Sequence, residues 1–376
     1  MIYLDFAATT PMSEDALYVF NEASKRYFGN ASSLHEFGTQ ANDALEASRS
    51  SWAQMINAEK DGIYFTSGGT ESNQLAIRSL IEGNRDKGNH LITTDAEHSS
   101  VYNVMKKLEG EGFEVTYLSI HESGQISIEE LKAAIRPSTI LASIQAVNGE
   151  VGYVQAISEI GELLDEANVL FHTDAVQAFT NIPLDVQADK IDALSISGHK
   201  IYGPKGIGLC YINSRVSWKP QVPNTTHEGG LRAGTVDVPA ILSFTTAAQQ
   251  LINSMNENAE KMTHLRQHLL EKLKETKVDF TLYESELNQV PQIVGMAFSK
   301  LQGQYIMLEC NKNGLAISTG SACQVGQQSP PRTLLSLGKT RDEANQFVRI
   351  SFGITTTVEE LDALVTVLEK IVHNLS

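Results

Sequence analysis

Between residues 62 and 212 the chain alternates short β-branched or aromatic runs with segments of helical periodicity. Between the runs, apolar residues recur at three- and four-residue spacing, as they do on the buried face of a helix. The runs with the length and composition of buried strands are 63–66, 90–94, 114–119, 139–147, 169–173, 192–197 and 206–212. This alternation is typical of a mostly parallel sheet with helices packed against it, so the predicted fold class is α/β.

The character of the sequence changes beyond Pro239. There, long amphipathic helices surround two further strand-like runs, 292–299 and 347–353. A chain of 376 residues is long enough for two domains. We therefore expect a large domain over residues 12–250, and a smaller α+β domain formed by residues 1–11 and 251–376.

Charge and composition exclude several classes of function. The chain has 29 Lys+Arg and 45 Asp+Glu, and its formal charge of −16 argues against direct binding to nucleic acid. The first residues lack the features of a signal peptide, and no long uncharged apolar run occurs, so no membrane insertion is expected. The three cysteines form no CxxC pair, which argues against a zinc or disulfide framework and favours a cytoplasmic location.

Polar segments follow five of the predicted strands at the point where each strand ends. They are SGGTESN (67–73), DAEH (95–98), NGE (148–150), DAVQ (174–177) and GHK (198–200). Open parallel sheets bind ligands outside the carboxyl ends of their strands. We therefore expect these five segments to converge on one site.

The segment SGGTESN has the features of a phosphate cradle. Its two glycines permit close backbone approach, and Thr70 can cap the helix that follows, which leaves amide donors and a positive dipole facing an anion. An ordinary capped helix after a glycine turn explains this segment equally well when it is taken alone. Neither LGKT (337–340) nor GPKGIG (203–208) has the glycine spacing of a nucleotide-binding loop.

Two charged residues at strand ends narrow the choice of cofactor. Lys200 would be partly desolvated there, which lowers the pKa of its amine toward the reactivity that a Schiff base requires. Asp174 would supply the carboxylate that keeps a pyridinium nitrogen protonated. Separately, such residues are more often a surface lysine and a buried, hydrogen-bonded aspartate. Together with a phosphate cradle they predict a pyridoxal 5'-phosphate (PLP) site.

The remaining candidate residues are three histidines and one arginine. His98 follows a strand end, where its ring could stack on a pyridine ring and move protons, or could simply cap a helix. His264 and His268 have the spacing of metal ligands but no accompanying carboxylate motif, so no metal site is predicted. Arg349 is a single cation within an apolar strand and could bind a substrate carboxylate through two hydrogen bonds.

The three cysteines differ in their surroundings. Cys210 and Cys310 lie in apolar segments, where buried thiols are usually inert. Cys323 lies in STGSACQVGQQSPP, a stretch of small, polar and proline residues that is typical of an exposed loop. A thiolate there could reach a partner, although an incidental loop thiol is the alternative.

The motifs SGGTESN, AEH, HTDAVQ, SGHKIYGPKG, RAGT and STGSAC together resemble the cysteine desulfurases, which are class V, fold-type I PLP-dependent transferases. The resemblance runs in order from DFAATTP to RISFG and covers nearly the whole chain. The stretch after Cys323 is similar in length to that of the long-loop, NifS/IscS-like subgroup. The chain departs from the usual family pattern at FAATT, at SGHK and at NTTHEGGLRAGT, the last being near an expected subunit interface.

The resemblance implies a seven-stranded, mostly parallel sheet with a smaller α+β domain, and a role for each matching residue around PLP. Lys200 would bind the cofactor covalently, and Asp174 would pair with its pyridinium nitrogen. Gln177 would hydrogen-bond the phenolic oxygen, and His98 would stack on the ring and transfer protons. The residues implied around the phosphate are Gly69, Thr70, Ser197, His199 and, from across a homodimer interface, Thr235.

The resemblance also implies the reaction. Asn148 and Arg349 would bind the carboxylate of L-cysteine, and the Cys323 thiolate would attack its sulfur, giving L-alanine and a persulfide. A sulfur-acceptor protein would take this sulfur for iron-sulfur cluster assembly or related trafficking, either a scaffold or an apo-enzyme such as quinolinate synthase. Alternatives are a selenocysteine lyase or a class V aminotransferase, neither dependent on Cys323 in the same way, and a non-catalytic sulfur-relay scaffold, which would be colourless.

Overall fold

A computed structural model describes residues 1–276, 278–285, 288–320 and 330–373. The predicted nucleophile, Cys323, lies outside the described residues. The chain begins with a short strand and two helices, which are β1 (Ile2–Tyr3), α1 (Glu14–Arg26) and α2 (Glu36–Met55). Helix α1 begins where Ser13 accepts a hydrogen bond from the Ala16 N–H, so a serine cap fixes its start.

The main sheet has seven strands. They are β2 (Ile63–Thr66), β3 (His90–Thr94), β4 (Glu114–Leu118), β5 (Thr139–Ser143), β6 (Leu170–Asp174), β7 (Ala193–Ser197) and β8 (Gly208–Ile212). Their order in the sheet is β2-β8-β7-β6-β5-β3-β4. The pairs from β4 across to β7 are parallel, whereas β8 is antiparallel to both of its neighbours. The predicted α/β class with a mostly parallel seven-stranded sheet is confirmed.

Helices separate the strands of this sheet, as the apolar spacing predicts. They are α3 (Gly69–Gly83), α4 (Ser99–Gly110), α5 (Ile128–Ala134) and α6 (Ile157–Glu166). The buried stripe of α3 includes Ile77, Leu80 and Ile81, which pack into an apolar core with residues of β3 and β8. Burial of such a stripe against the sheet is what holds each helix in place.

One predicted strand is longer than the strand observed. The sequence predicts a strand over 139–147, but β5 ends at Ser143. The Gln145 N–H is the next backbone donor that could extend the pairing of β5 with β3. It donates instead to Oε1 of Glu97, at 2.9 Å. The side-chain amide of Gln145 also donates to the Ala96 carbonyl, at 2.7 Å. Side chains therefore replace the ladder on the β3 side, while the Ile144 and Ala146 N–H groups still donate to β6.

The rest of the chain adds further helices and two small sheets, and α7 packs into the core of the main sheet. Its elements are α7 (Val238–Asn253), α8 (Met255–Glu275), β9 (Phe280–Tyr283), β10 (Ile293–Phe298), α9 (Gly303–Lys312), β11 (Leu315–Ala316), α10 (Arg332–Ser336), α11 (Arg341–Ala344), β12 (Phe347–Ser351) and α12 (Val358–His373). Strands β12, β10 and β9 form an antiparallel sheet in that order, and β1 pairs with β11.

A separate apolar core lies between this small sheet and helices α8, α9 and α12. The α8 residues Leu265, Leu269 and Leu273 are buried in it, as their spacing predicts. Leu4, from the N-terminal segment, belongs to the same core. Phe6 and Ala7, from the same segment, belong instead to the core around the main sheet, so the boundaries of the two domains stay a prediction. In the described part of the chain, no helix is both long and apolar enough to cross a lipid bilayer.

Candidate active site

A cavity of about 560 Å³ opens at the carboxyl ends of the main-sheet strands. All five polar strand-end segments contribute to its walls, so they do converge on one place. The predicted site residues that line it are Gly69, Thr70, His98, Asn148, Asp174, Gln177, Ser197, His199, Lys200 and Arg349. Their individual roles stay predictions, and the contacts described below indicate what each could do.

Lys200 is held against the N-terminal segment of the chain. It ends the short turn Gly198–Lys200 that follows β7, and its Nζ donates to the carbonyls of Ala7, at 2.5 Å, and Ala8, at 2.9 Å. Gln177 Nε2 donates to the same Ala7 carbonyl, at 2.9 Å. The segment that begins with DFAATT therefore forms one side of the cavity and orients both residues.

Asp174 is the last residue of β6 and is buried. One carboxylate oxygen accepts a hydrogen bond from Asn73 Nδ2, at 2.7 Å, and the other accepts from the Val176 N–H, at 3.0 Å. Asn73 lies on α3 and was not a candidate from the sequence. These two donors fix the carboxylate in one orientation, which suits a buried acceptor for a protonated ring nitrogen.

His98 is the N-cap of α4, so the capping interpretation of this residue is correct. Its Nδ1 accepts a hydrogen bond from the Ser100 N–H, at 3.2 Å. Burial lowers the pKa of His98 below its ordinary value, and the positive charge of Lys200 acts in the same direction. Because Nδ1 is an acceptor, the proton of the neutral ring is on Nε2. Capping and a place in the cavity wall are compatible, since the ring does both.

The glycine segment after β2 forms a close-packed cradle. Its backbone turns at Gly68, with φ of 146°, and α3 begins at Gly69. The prediction that Thr70 caps this helix is wrong, because the N-cap is Gly68 and Thr70 lies within the first turn. A Cβ atom on Gly69 would lie 2.6 Å from Val176 Cγ2, so no larger residue fits without a shift. The amides of the first turn are therefore left for a ligand.

Ser197 and His199 face the same part of the cavity. Ser197 Oγ is buried and has no hydrogen-bond partner among the described residues. A buried hydroxyl of this kind requires a partner, and a phosphate oxygen would provide one. His199 Nδ1 lies 3.1 Å from Thr9 Oγ1, and burial, with the charges of Lys200 and Lys205, lowers the pKa of His199 to about 4. The cradle and these side chains fit the phosphate of PLP.

Arg349 lies on β12 and is buried with a carboxylate partner. Its Nη2 donates to Asp5 Oδ1, at 2.8 Å, and its Nη1 donates to the Gly149 carbonyl, at 2.7 Å. Its Nε is buried and has no partner in the part of the chain that the structure describes. No sequence pattern indicates that Asp5, 344 residues away, pairs with this arginine.

Asn148 is fixed on both sides of its amide. The oxygen accepts hydrogen bonds from the N–H groups of Glu150, at 2.9 Å, and Val151, at 3.0 Å. The nitrogen donates to Thr333 Oγ1, at 2.9 Å. Across the cavity, the backbone of Arg349 pairs with that of Ser318. Thus both predicted substrate-binding residues contact chain that flanks residues 321–329.

Two cavity residues were missed as individual candidates. Glu97 is buried, and burial raises its pKa to about 8. The guanidinium of Arg332 stacks on the Tyr102 ring, with 4.2 Å between its central carbon and the ring centroid, and donates to the Glu97 carbonyl at 3.2 Å. The motif AEH contains Glu97, but only tertiary packing shows that its carboxyl is buried.

The remaining candidate residues that the structure describes lie outside this cavity. Thr235 is exposed in the single chain and does not line the described cavity. Cys210 and Cys310 have buried thiols, as predicted, and burial raises the pKa of both, that of Cys310 to about 12. His268 Nε2 lies 2.7 Å from Asp362 Oδ1.

The divergent segment NTTHEGGLRAGT is anchored to the main sheet through Glu228. The buried carboxylate of Glu228 accepts two hydrogen bonds from Arg49, at 2.9 and 3.0 Å, and one from the Phe65 N–H. Glu228 has a positive φ of 47°, which a non-glycine residue seldom adopts. The bidentate ion pair thus holds a strained turn in place.

Comparisons with known proteins agree with this geometry. The family described as Aminotransferase class-V matches residues 2–364. A Bacillus subtilis protein named "Putative cysteine desulfurase NifS" is 47% identical over 97% of this chain and 93% of its own length. The protein named "Cysteine desulfurase IscS" from Dictyoglomus turgidum is 37% identical over 100% of this chain and 95% of its own.

Solved structures give the same result. A structure described as a NifS-like protein superposes with a TM-score of 0.92 at 29% identity, and 99% of each chain is covered. A structure described as SspA in complex with cysteine has a TM-score of 0.83 at 34% identity, and covers 94% of this chain and 99% of its own. The chain therefore belongs to the class-V aminotransferase family, and within it to the PLP-dependent cysteine desulfurases of the NifS/IscS type.

Proposed function

We propose that this desulfurase removes the sulfur of L-cysteine in the cavity described above and that Cys323 receives it as a persulfide. The observation that carries the proposal is the arrangement of Lys200, Asp174 and Arg349 around one cavity, beside the unpartnered hydroxyl of Ser197. An amine, a fixed carboxylate, a phosphate cradle and a cation for the substrate carboxylate are what PLP chemistry on an amino acid requires.

The residues around the cofactor have separable tasks. When bound, PLP supplies an electron sink for bond changes at the carbons of the substrate. Lys200 Nζ holds the cofactor covalently, and Asp174 accepts the hydrogen bond of the protonated ring nitrogen. His98 and Gln177 orient the ring. The groups assigned to the phosphate are the amides of Gly69 and Thr70, the side chains of Ser197 and His199, and Thr235 of the second subunit.

The substrate is held on the opposite side. Arg349 has a buried Nε without a partner among the described residues, while its Nη1 donates to Gly149 and its Nη2 to Asp5. A carboxylate is the natural acceptor for such a donor. The amide of Asn148 completes the carboxylate site. Burial lowers the pKa of His98 and keeps its ring neutral, so His98 can take up a proton and return it, and we assign proton transfer to it.

Sulfur transfer takes place at Cys323. Its thiolate forms a bond to the substrate sulfur, and the carbon–sulfur bond of the substrate breaks. The electron pair of that bond remains on the substrate carbon, which takes up a proton and leaves as L-alanine. Formation of the persulfide therefore requires no external oxidant or reductant. The persulfide on Cys323 then passes its outer sulfur to an acceptor protein.

The decisive experiment is mass spectrometry of the Cys323 peptide after L-cysteine is added to the PLP-loaded enzyme. We expect one additional sulfur atom on this residue and stoichiometric L-alanine. Cys323→Ala should keep the yellow cofactor but make no alanine. Cys210→Ala and Cys310→Ala are matched controls, because their thiols are buried, and both should still form the persulfide on Cys323. Unchanged alanine formation by Cys323→Ala would overturn the mechanism.

A second measurement separates the alternatives. Borohydride reduction and peptide mapping should place a pyridoxyl group on Lys200. An unmodified Lys200 in a colourless protein would indicate the non-catalytic scaffold. Rapid amino transfer to keto acids would indicate an aminotransferase, and turnover of selenocysteine but not of cysteine would indicate a lyase.

We assign a homodimer to this enzyme. Five large apolar residues lie at least half exposed on α1 and the chain leading into α2, namely Leu17, Tyr18, Phe28, Leu34 and Phe37. Exposed apolar clusters of this kind support an interface with another protein surface. Light scattering should give twice the mass of one chain, and Phe28→Ser with Phe37→Ser should shift it toward the monomer.

The sulfur acceptor is a protein, and the reaction takes place in the cytoplasm, where thiols stay reduced. Either an iron-sulfur scaffold or an apo-enzyme such as quinolinate synthase would receive the sulfur. Transfer of radiolabelled sulfur from the Cys323 persulfide to purified candidates, with and without the candidate's own cysteines, would distinguish them.

A further inference from the structure

Glu97 is a buried carboxyl group in the wall of the cavity to which the chemistry above gives no task. It lies between β3 and His98 and is 2% exposed. Its Oε1 accepts two hydrogen bonds, from the Gln145 N–H at 2.9 Å and from Thr94 Oγ1 at 2.9 Å. Its Oε2 is buried without a partner among the described residues. Oε1 of Glu97 thus accepts two hydrogen bonds, whereas Oε2 accepts none from the described residues.

The contacts of Glu97 join the ends of two neighbouring strands. The Gln145 side chain donates to the Ala96 carbonyl, at 2.7 Å, next to the bond between the Gln145 N–H and Glu97. Asn148 Nδ2 also approaches the Ala96 carbonyl, at 3.4 Å. The turn after β3, which ends in His98, is therefore tied to the segment after β5, which ends in Asn148.

The charges around Glu97 do not favour a carboxylate. Burial is the main cause that raises its pKa to about 8, and the negative charge of Asp174 on β6 adds to it. The hydrogen bonds from Gln145 and Thr94 and the charge of Arg332 on α10 act in the opposite direction, but burial outweighs them. Arg332 donates to the backbone carbonyl of Glu97. His98, at the start of α4, is neutral. An ionised Oε2 would have no hydrogen-bond donor here.

We propose that Glu97 is a positioning residue that acts as a neutral carboxylic acid, tying the turn after β3 to the segment after β5 and so fixing His98 relative to Asn148. This inference rests on the proposed function, in which His98 transfers protons and Asn148 binds the substrate. Loss of the Glu97 proton places an unsolvated charge near Asp174, and this destabilises the packing of the two strand ends, so turnover falls as the pH rises past the point where Glu97 ionises.

The test compares three variants of the PLP-loaded enzyme over pH 6 to 9.5, with L-alanine production as the measurement. Glu97→Gln keeps an oxygen for the Gln145 N–H and cannot ionise, so it should keep turnover near the wild-type value at pH 7 and lose the alkaline decline. Glu97→Ala should lower kcat by about 10-fold or more, because the tie is lost. Asp192→Asn is the matched control, because it removes a half-buried carboxyl that accepts from the Phe171 N–H outside the cavity. It should keep the wild-type decline.

A second measurement is independent of turnover. In the cofactor-free protein, the folded pKa of Glu97 is raised from 4.5 to about 8, so its contribution to stability is largest below pH 4.5 and is lost as the pH rises to about 8. The melting temperature of Glu97→Gln should therefore rise relative to wild type across that range. An alkaline decline that persists in Glu97→Gln, with no relative gain in its melting temperature, would overturn the inference. If the wild type makes no alanine, the proposed function fails, while the melting experiment still tests Glu97.

Discussion

The two sides of the cavity are built in different ways. On the side of the main sheet, polar groups are held by the turns and helices that follow the strands, as Asp174 is held by Asn73 on α3 and by the Val176 N–H. On the opposite side, Arg349 depends on Asp5, 344 residues away, and Asn148 depends on Thr333, 185 residues away. The first side is assigned to the cofactor and the second to the substrate.

This difference shows that cofactor binding and substrate binding depend on different parts of the fold. The cofactor side is built on the strand ends of one hydrogen-bonded sheet, and the N-terminal segment adds the Ala7 and Ala8 carbonyls that orient Lys200 and Gln177. The substrate side exists only when the N-terminal segment, β12 and α10 come together. That side also flanks residues 321–329, which include Cys323. We therefore expect changes on the sheet side to affect cofactor binding, and changes on the other side to affect the KM for cysteine.

The largest effect is expected for Lys200→Arg. The arginine keeps a cation near the Ala7 and Ala8 carbonyls but cannot form the covalent bond to PLP. Alanine formation should fall to the background without enzyme, and the yellow absorbance of the bound cofactor should disappear. Lys107→Arg, on the exposed face of α4, is the control and should behave as wild type. Turnover by Lys200→Arg at the wild-type rate would remove Lys200 from the mechanism.

Changes at the ion pair between Arg349 and Asp5 should affect substrate binding. Arg349→Lys keeps the charge but loses the planar donors, so the KM for L-cysteine should rise by about 10-fold to 100-fold with a smaller change in kcat. Asp5→Asn only loosens the guanidinium and should raise KM by about 3-fold.

The cofactor absorbance should stay unchanged in both variants, and Arg78→Lys, in a more exposed pair with Glu111, serves as the control. A lower KM in Asp5→Asn would mean that Asp5 competes with the substrate carboxylate instead of orienting Arg349.

The glycine cradle should respond to one added methyl group. In Gly69→Ala the new Cβ meets Val176 Cγ2 at 2.6 Å, and overpacking of this kind costs about 1–3 kcal/mol. We expect the affinity for PLP, measured by fluorescence titration, to fall by about 10-fold with little change in the KM for cysteine. Adding Val176→Ala to Gly69→Ala should restore most of the affinity for PLP. Gly110→Ala, where the Cβ meets nothing within 4 Å, should leave PLP affinity unchanged. Equal effects of the two alanines would argue against a fitted cradle.

The smallest effect concerns the interior of the sheet. His172 on β6 lies between the hydroxyls of Ser143, at 2.8 Å, and Ser195, at 3.2 Å, and burial lowers its pKa from 6.5 to about 3. Its contribution to stability is therefore present above pH 6.5 and is lost as the pH falls toward 3. The free energy of unfolding, measured in urea, should fall less between pH 6.5 and 4 for His172→Gln than for wild type. Parallel pH curves for the two proteins would show that His172 does not titrate in this way.

The sequence predicted the first side of the cavity better than the second. Strand periodicity and the rule that ligands bind at strand carboxyl ends placed Asp174, Lys200 and His98 together without knowledge of any contact. The prediction that Thr70 caps α3 was wrong, because the N-cap is Gly68, which can adopt the positive φ at that position, and Thr70 lies two residues beyond it. Capping depends on local backbone angles that residue types indicate only approximately.

By itself, the sequence determined the α/β class, the convergence of five polar segments and the family, because hydrophobic periodicity and ordered motifs are properties of the chain. Only the tertiary structure decided that Asp5 pairs with Arg349, that Arg49 pairs with Glu228, and that the carboxyl of Glu97 is buried. These interactions join segments that are distant in the chain, and their energies depend on burial, which arises only when the segments pack together.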